Sequence, residues 1–309
     1  MTSDFRKKLV PNEFDSPEQL PGSLESAQKW QDANRAFWES HPMRYDWKES
    51  IGHPEYTEEF YKEIDKRFFS NVWEYMPWQT VPFDTLINFD DLRHKKVLEI
   101  GVGNGSHAYL LAGHSDSYTG IDLTSYAVNS TAKRLELFDI PAKIMQMDAE
   151  AMAFPDSSFD FVWSWGVIHH SSNTKKILEE MHRVLKSGGE AIIMVYHRGL
   201  WNYYFCGGLI RGVVLGDLLR THSLAKTVQR HTDGALARYY TIGSLRLLLE
   251  ETGFKIDYVI VKGSKAELLP MPGGKLKSRI MALLPNAITR FFTNHLRMGS
   301  FLICKFAKA

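Results

Sequence analysis

The stretch VLEIGVGNGS, residues 97–106, decides how this 309-residue chain folds. A short apolar run that contains Glu99 leads into Gly101, Gly103 and Gly105, a pattern typical of the tight turn between a buried strand and a helix. Because glycine has no Cβ, such a turn lets a ligand come close to the backbone. The spacing differs from the dinucleotide fingerprint G-x-G-x-x-G, since a serine occupies the sixth position. This argues against an NAD-dependent oxidoreductase, which stays an alternative.

Further short apolar runs follow along the chain as SYTGIDL, AKIMQMD, FDFVWSWG and GEAIIMVY. Helical segments separate them, and two of these helices are expected to bury apolar faces, one made of Val128, Ala132, Leu135 and Phe138 and the other of Ile177, Met181, Val184 and Leu185. This alternation predicts a parallel sheet with helices on both faces. FKIDYVIVKG and GSFLICKFAKA predict two late strands that form a hairpin-like edge interrupted by residues 264–298.

Two acidic residues end the strands that follow the glycine-rich turn. Asp122 lies 21 residues after Gly101, where a carboxylate can accept hydrogen bonds from both ribose hydroxyls of a nucleoside. Asp148 ends the next strand, and the carboxyl ends of parallel strands meet at one edge of the sheet. The sequence therefore predicts a nucleoside site at this edge. The alternative is that these acids only cap helices.

Four successive stretches resemble the motifs of class I S-adenosylmethionine-dependent methyltransferases: VLEIGVGNG, GIDLT, MDAEAMAFPDSSFDFVWSWGVIHH and EEMHRVLKSGGEAIIMVYH. The resemblance is close over residues 95–197 and looser over the two late strands. It implies an α/β, Rossmann-like fold with a seven-stranded sheet, helices on both faces, an N-terminal helical lid and an inserted cap. It also implies the cofactor S-adenosyl-L-methionine, with S-adenosyl-L-homocysteine as the product.

The resemblance implies contacts along the whole cofactor. For its methionine portion they come from Glu99, Gly101, Gly103, Gly105, Ser164 and Trp165. For its ribose and adenine they come from Asp122, Leu123, Asp148 and Ala149. Asp122 would accept hydrogen bonds from the ribose, and Asp148 would accept one from the adenine amino group.

The methyl group of a sulfonium is already a strong electrophile, so the expected task is to align an acceptor for in-line displacement. His169 and His170 follow the fourth strand on the acceptor side, and either is a candidate base because imidazole titrates near neutral pH. The alternative for each is a structural hydrogen bond at the strand end. No metal site is expected, since adjacent histidines point in different directions and no Cys or carboxylate cluster lies at ligand spacing.

A second cluster, VYHRGLWNYY, follows the fifth strand and is expected at the mouth of the same site. The candidates for contact with the acceptor are Tyr45, Tyr196, His197, Arg198, Asn202, Tyr203 and Tyr239. Arg198 would clamp a carboxylate or phosphate group, or else lie on the surface. The stretch HTDGALARYYT is expected to return to the site through His231, Arg238, Tyr239 and Tyr240.

The expected acceptor is a small molecule, such as a natural product or a lipid-like or isoprenoid metabolite. Two alternatives stay open beside simple methyl transfer. One is methylation coupled to rearrangement of the acceptor, and the other is a non-catalytic partner protein that keeps the nucleoside fold.

The chain is expected to divide into four parts. Residues 1–92 are predicted to form the helical lid, with Trp38, Tyr45 and Trp47 as candidates for folding over the cofactor. Residues 93–197 are predicted to form the cofactor-binding core. Residues 198–252 are predicted to add the cap and a helix with Thr241 as its N-cap and Gly253 after its end, and residues 253–309 the late strands.

The composition, 44% hydrophobic and 24% charged residues, is that of an ordinary globular protein. The sequence shows no run of about 18 apolar residues and no signal peptide, and its only cysteines are Cys206 and Cys304, which predicts a cytoplasmic protein without disulfides. No nucleic-acid partner is expected, because no dense basic stripe occurs.

Residues 200–309 are basic, with 16 Lys or Arg against six Asp or Glu. Within them, LIRGVVLGDLLRTHSLAKTVQR and RIMALLPNAITRFF have the pattern of a basic amphipathic surface, formed in the first stretch by Leu209, Val213, Leu218 and Leu219 with Arg211, Arg220 and Lys226. Such a surface would suit a membrane and a lipid-like acceptor. Burial against the chain's own domain is the favoured interpretation, and the oligomeric state is not predicted.

Overall fold

The computed structural model describes residues 16–46, 49–271 and 273–309. Within these residues one sheet contains β1 (Lys96–Ile100), β2 (Ser117–Asp122), β3 (Lys143–Gln146), β4 (Phe159–Trp165), β5 (Leu185–His197), β6 (Tyr239–Tyr240), β7 (Phe254–Lys262) and β8 (Phe301–Lys308). The strand order is β3-β2-β1-β4-β5-β8-β7, and the two-residue β6 pairs with the end of β5. Every pairing is parallel except those of β8, which runs antiparallel to β5 and β7. The predicted Rossmann-like α/β fold with a seven-stranded sheet is confirmed, and β6 adds to it.

The α-helices are α1 (Leu24–Ser40), α2 (Glu58–Tyr75), α3 (Phe89–Leu92), α4 (Ser106–Ala112), α5 (Ser125–Leu137), α6 (Thr174–Val184), α7 (Asp217–Thr221), α8 (Leu224–Gln229), α9 (Ile242–Glu251), α10 (Lys265–Leu268), α11 (Lys275–Leu283) and α12 (Asn286–Arg290). Two π-helical segments, Leu200–Val214 and Phe291–His295, and the 3-10 turn Ile168–His170 complete the list. The helices α10 to α12 lie between β7 and β8, so the predicted late insertion does carry helices.

Both faces of the sheet are covered, as the alternation of strands and helices predicts. Successive residues of a strand point to opposite faces. On one face Leu98 packs in a core with α6 and α9, and on the other Val97 packs in a core with α2 and α4. The buried strands therefore read as continuous apolar runs in the sequence.

One predicted helix face is confirmed and the other is confirmed only in part. Ile177, Met181 and Val184 of α6, with Leu185 after it, are all buried. In α5 only Leu135 of the predicted face is buried, Ala132 is exposed, and the other buried side chains include Ser130, Thr131 and Arg134. This face of α5 packs against the polar backbone of the glycine-rich turn, where Thr131 Oγ1 donates to the Gly103 carbonyl (3.1 Å), so apolar periodicity does not reveal it.

The helix α1 lies across the carboxyl ends of the strands. Its Glu39 carboxylate accepts hydrogen bonds from the backbone N–H groups of Ser125 (2.8 Å) and Tyr126 (2.9 Å), and so caps the N-terminus of α5. Its Asn34 side chain donates to the carbonyl of His170 (2.7 Å). The division at residues 92, 197 and 252 stays a prediction, and Trp47 lies outside the described residues.

The helix α9 has the predicted ends. Thr241 Oγ1 accepts from the backbone N–H of Ser244 (3.0 Å), and Gly253 has φ +85°, which lets the chain turn into β7. No helix in the described part of the chain is long and apolar enough to cross a membrane.

Candidate functional site

A cavity of about 370 Å³ opens at the carboxyl ends of the central strands, where open α/β sheets bind their ligands. Its polar end, on the side of β1, β2 and β3, is lined by Gly101, Gly103, Asp122, Leu123, Asp148 and Ala149. Its aromatic end, on the side of β4, β5 and β8, is lined by Tyr45, Phe68, Tyr75, Trp165, Tyr196 and Phe301.

The three glycines of the turn all have a positive φ, but their surroundings differ. A Cβ on Gly101 would lie 2.2 Å from Cγ2 of Val167, so this position is closed by packing. A Cβ on Gly105 would meet the side chains of Arg134 and Thr131 on α5. At Gly103 no heavy atom lies within 4 Å of an added Cβ. This glycine therefore borders open space in the cavity, where a ligand can approach the backbone.

Asp122 ends β2 with its carboxylate in the cavity. Oδ1 accepts hydrogen bonds from the backbone N–H and the hydroxyl of Thr124 (both 2.9 Å), and Oδ2 accepts one from the N–H of Gly103 (3.3 Å). Burial raises the pKa of Asp122, and these hydrogen bonds counter the rise. The carboxylate is thus held in a fixed orientation beside the glycine-rich turn.

Asp148 links the sheet to α1. Its Oδ1 accepts hydrogen bonds from Gln31 Nε2 (2.9 Å) and from the backbone N–H of Glu150 (2.8 Å). Gln31 also accepts from the N–H of Ser172 (3.2 Å), so it connects the ends of two strands. The helix α1 covers the polar end of the cavity through this residue.

A buried cation supports the glycine-rich turn from behind. The Arg134 guanidinium pairs with the Asp65 carboxylate of α2 and donates to the carbonyl of Asn104 (3.3 Å). Asp65 also accepts a hydrogen bond from the hydroxyl of Ser106 (2.7 Å). The Arg134 side chain is 1% exposed and its partner Asp65 is 23% exposed, so the turn is fixed by a largely buried network.

Three residues expected near the methionine portion, Glu99, Gly105 and Ser164, do not line the cavity. Glu99 is buried, accepts a hydrogen bond from the Tyr118 hydroxyl (2.6 Å), and has its pKa raised to about 8 by burial. Ser164 is buried within the sheet and donates to the carbonyl of Ile100 (3.1 Å). Trp165, the neighbour of Ser164, does line the cavity.

The structure separates the two histidines. His170 lines the cavity, donates from Nδ1 to the carbonyl of Leu236 (2.6 Å) and packs edge-on against Trp38, a lid candidate that also lines the cavity. His169 is fully buried and does not line the cavity, and burial holds its pKa well below the usual range. Its ring packs against Tyr196 with the centroids 4.0 Å apart. Its position is that of a support behind Tyr196, because a base must reach the proton that it removes.

Of the predicted acceptor contacts, Tyr45 and Tyr196 line the cavity and the others lie elsewhere. The ring of His197 donates to the Gly299 carbonyl (2.8 Å). Arg198 pairs with Glu18 (2.7 Å), and neither of these two residues lines the cavity. Asn202 donates to Glu267 (3.1 Å), and Tyr203 and Tyr239 pack against each other. These residues attach the π-helical segment Leu200–Val214 to the rest of the fold.

Asp233 is the residue of the stretch HTDGALARYYT that reaches the cavity, and sequence reasoning missed it. Its Oδ1 accepts a hydrogen bond from the Tyr196 hydroxyl (2.6 Å). The residues expected there are engaged elsewhere: His231 bonds to Asp217 (2.8 Å) and Arg238 donates to the Ser172 carbonyl (2.7 Å). An aspartate next to a glycine looks like a turn in the sequence, and only its distance in space from Tyr196 marks it.

The aromatic end contains a second missed residue, His107 of α4. Its ring lies between aromatic rings, with centroids 5.1 Å from Phe68, 4.8 Å from Phe83 and 5.3 Å from Trp163. Burial lowers the pKa of His107 to about 3, so its imidazole is neutral near pH 7.

Comparison with known proteins agrees with this geometry. Residues 98–193 match the family described as "Methyltransferase domain". Phosphoethanolamine N-methyltransferase 2 of Caenorhabditis elegans is 36% identical over 105 residues, which are 33% of this chain and 24% of that protein. Residues 98–193 therefore form a methyltransferase domain.

Two further relatives extend the comparison of this methyltransferase domain. Fatty-acid O-methyltransferase of Mycolicibacterium smegmatis is 36% identical over 101 residues, 32% of this chain and 36% of that protein. The crystal structure of an S-adenosylmethionine-dependent methyltransferase from Methanosarcina mazei aligns with 75% of this chain and 99% of its own, at 20% identity and a TM-score of 0.50. The chain therefore matches a quarter to about a third of the length of the two named curated relatives, and shares its fold with the solved structure.

The residues of the methyltransferase domain fit S-adenosyl-L-methionine, the cofactor of this class. The open space at Gly103 leaves room for the methionine portion beside the backbone. Asp122 presents an oriented carboxylate for the ribose, and Asp148 with Leu123 and Ala149 lines the neighbouring position expected for the adenine.

Proposed function

We propose that this protein transfers a methyl group from S-adenosyl-L-methionine to a small, largely apolar acceptor. The observation that carries the proposal is one cavity with two unlike ends, a polar end that fits the cofactor and an aromatic end beside it. The two named curated relatives act, by their names, on phosphoethanolamine and on fatty acids, which supports a small or lipid-like acceptor but not the same charge on it.

The cofactor supplies an electrophilic methyl group on a positively charged sulfur. The residues of the chain then have to bind and align the acceptor and exclude water. The rings of Phe68, Tyr75 and Phe301 offer apolar area for the body of the acceptor. The Tyr45 ring packs on Phe68 at a centroid distance of 5.2 Å and extends this wall toward the lid.

The charges in the cavity favour a neutral or cationic acceptor. Among the described residues that line it there is no Lys or Arg, so a carboxylate or phosphate on the acceptor would find no counter-ion. This replaces the expected clamp by Arg198, whose guanidinium pairs with Glu18. Asp233 and Tyr196 supply the polar contact at the aromatic end.

We assign to Asp233 the binding of the nucleophilic hydroxyl or amine of the acceptor. Its carboxylate already accepts one hydrogen bond from Tyr196 and can accept another from the N–H or O–H group that loses its proton. His170 stays the candidate base of the predicted pair, because it lines the cavity and its ring is oriented by the hydrogen bond from Nδ1 to the Leu236 carbonyl. Methylation coupled to rearrangement stays an alternative outcome of the same chemistry.

The test is incubation of the protein with methyl-labelled S-adenosyl-L-methionine and a small-molecule extract of its source organism, followed by a mass search for labelled products. We expect a labelled neutral or cationic product that requires active protein. The matched control is Asp122→Ala, which should lose the label together with the cofactor.

A second measurement separates the ways in which this can fail. Calorimetric titration with S-adenosyl-L-homocysteine should show binding at one site. If S-adenosyl-L-homocysteine does not bind, the cofactor assignment is wrong. If it binds and a labelled protein or nucleic acid appears in place of a small molecule, the acceptor class is wrong.

A further inference from the structure

Two segments of the C-terminal third expose an unusual number of apolar side chains. In the first, residues 200–219, they include Leu200, Leu209, Val213, Val214 and Leu219, and in the second, residues 276–291, Leu276, Ile280, Leu283, Ile288 and Phe291. Val214 is 71% exposed and Leu283 is 83% exposed. We call these ten residues the apolar surface. An exposed apolar area of this extent marks an interaction site more often than a bare face of a monomer.

The two segments belong to one region of the molecule. Trp201 Nε1 donates to the carbonyl of Glu267 (2.9 Å), and Asn202 Nδ2 donates to the carbonyl of Met298 (2.8 Å). Arg211 and Lys277 both lie near enough to Cys206 to lower the pKa of its thiol against the larger effect of burial, which raises it. The π-helical segment Leu200–Val214 is therefore attached to the insertion between β7 and β8.

The helix α11 shows most clearly that this region is built to face something other than its own core. None of its nine residues is buried. Leu276, Ile280 and Leu283 follow at spacings of four and three, so they lie on one face of the helix. In a helix that packs only on its own domain this apolar face would be covered.

The charge of the same region indicates what covers it. Residues 200–226 and 264–298 contain nine Lys or Arg and two acids, Asp217 and Glu267. Both acids are engaged inside the protein, since Asp217 bonds to His231 (2.8 Å) and Glu267 accepts from the backbone N–H groups of Ser264 and Ser300 (both 2.8 Å). Apolar side chains among cations are the pattern of segments that lie in the interface of an anionic membrane.

The apolar surface is also connected to the aromatic end of the cavity. Asn294 donates to the carbonyl of Tyr75 (2.8 Å), and Arg290 donates to the carbonyl of Glu74 (3.3 Å) at the end of α2. Tyr75 lines the cavity and packs on Phe301, with ring centroids 5.5 Å apart. Only this layer separates the end of α12 from the site proposed for the acceptor.

We propose that the apolar surface docks this protein on anionic phospholipid membranes. The exposed Leu, Ile, Val and Phe side chains enter the boundary between headgroups and acyl chains, while the lysines and arginines around them contact the headgroups. The sequence pattern favoured burial of these residues against the chain's own domain, and their exposure overturns that interpretation.

A second copy of the chain is the less suitable occupant. A two-fold symmetric dimer through this surface would bring the same nine cations of each copy close together, and both acids of the region are already engaged. An anionic bilayer supplies both the apolar phase and the opposite charge.

The experiment is sedimentation of the full chain with vesicles of phosphatidylcholine alone or with about 30 mol% phosphatidylglycerol. The test variant is Ile280→Glu with Leu283→Glu, on a helix that has no buried residue and tolerates charge. The matched control is Leu247→Glu, because Leu247 is also a highly exposed leucine, 57%, but lies on α9. Binding of S-adenosyl-L-homocysteine and the monomer mass are measured for each protein.

We expect the wild type and Leu247→Glu to sediment with the anionic vesicles and to be released by salt. The partition coefficient of the double variant should fall by at least about tenfold. Its affinity for S-adenosyl-L-homocysteine should stay unchanged. The proposal is overturned if the wild type stays in the supernatant, if the double variant sediments equally, or if light scattering shows a dimer that this variant dissociates. Each of these results leaves the proposed methyl transfer untouched, since that is tested separately by the labelled product and by the binding of S-adenosyl-L-homocysteine.

Discussion

The polar and aromatic ends of the cavity are built in different ways. The polar end comes mainly from one continuous stretch, residues 101–149, in which the contacts follow strands at their carboxyl ends, and α1 covers it through Gln31. The aromatic end is assembled from α2, β4, β5, β8, the loop after α1 and the segment around Asp233, which are far apart in the chain. Backbone conformation and fixed carboxylates define the first end, whereas packing between distant elements defines the second.

This difference separates what binds the cofactor from what selects the acceptor. A turn with positive φ values and an oriented carboxylate suits one constant ligand, because its geometry is set locally. A wall of side chains from separate elements can change residue by residue without disturbing the turn. Substitutions at the two ends should therefore have separable effects on cofactor binding and on acceptor use.

The largest expected effect is at Gly101, where a Cβ would lie 2.2 Å from Val167 and φ is +83°. Gly101→Ala should lower the free energy of unfolding by about 2–5 kcal/mol, from backbone strain and overpacking together. Gly103→Ala is the matched control, since nothing lies within 4 Å of the added Cβ. Gly103→Ala should lower the free energy of unfolding, measured with urea, by only about 1 kcal/mol. It should weaken the binding of S-adenosyl-L-homocysteine, because the added methyl group enters the cavity. Equal stability of the two variants would contradict this account of the turn.

The next effect concerns the ribose assignment. Asp122→Ala should weaken the binding of S-adenosyl-L-homocysteine at least about tenfold, since a hydrogen bond to a charged group contributes about 1.5–3 kcal/mol. Calorimetric titration measures this directly. As a control, Asp257→Asn changes an exposed acid of β7 and should leave the affinity unaltered. An unchanged affinity of Asp122→Ala would remove Asp122 from the cofactor site.

A pH effect should distinguish the aromatic end. The folded state holds the pKa of His107 at about 3, so below about pH 6.5 only the unfolded chain takes up this proton. Stability should therefore fall as the pH drops from about 6.5 toward 3, by up to about 1.4 kcal/mol per pH unit from this residue. His169, whose pKa is also lowered by burial, acts in the same direction.

His107→Phe should make the dependence of the unfolding free energy on pH shallower between about pH 6 and pH 4. Urea unfolding at several pH values measures the slope, and the exposed His53 provides the control substitution, His53→Phe. The same slope in His107→Phe and in the wild type would show that His107 is not held neutral.

The smallest expected effect tests the acceptor side. Asp233→Asn should lower kcat/KM for the labelled acceptor by about fivefold, because the amide accepts a weaker hydrogen bond than the carboxylate. The affinity of this variant for S-adenosyl-L-homocysteine should stay within about twofold of the wild type. The companion Tyr196→Phe removes the hydroxyl that bonds to Asp233 and keeps the ring. A loss of cofactor affinity in Asp233→Asn would contradict the separation of cofactor binding from acceptor use at the two ends of the cavity.

The fold was predictable because β1 to β4 are short apolar runs that end at or shortly before a glycine or an acid. The buried face of α5 was not, since Ser130, Thr131 and Arg134 are polar and are paired with the turn and with Asp65 of α2. Apolar periodicity detects burial against apolar neighbours only. A buried ion pair between two helices distant in sequence has no local signature.

The candidate site divides in the same way. Asp122 and Asp148 follow from strand ends, and the structure places both in the cavity as the sequence suggests. Five residues near the site in sequence make their contacts elsewhere. His197 binds Gly299 and Arg198 pairs with Glu18, whereas Asn202, Tyr203 and Tyr239 attach the π-helical segment. Asp233 was missed because its partner Tyr196 lies 37 residues away. Contacts made through tertiary packing require the structure.

The most direct test of the account is a crystal structure of the protein with S-adenosyl-L-homocysteine. We predict that the ribose hydroxyls lie within hydrogen-bond distance of Asp122, that the adenine lies beside Asp148, and that the sulfur faces the aromatic end of the cavity. If S-adenosyl-L-homocysteine is bound elsewhere, or with its ribose away from Asp122, the assignment of the two ends is contradicted.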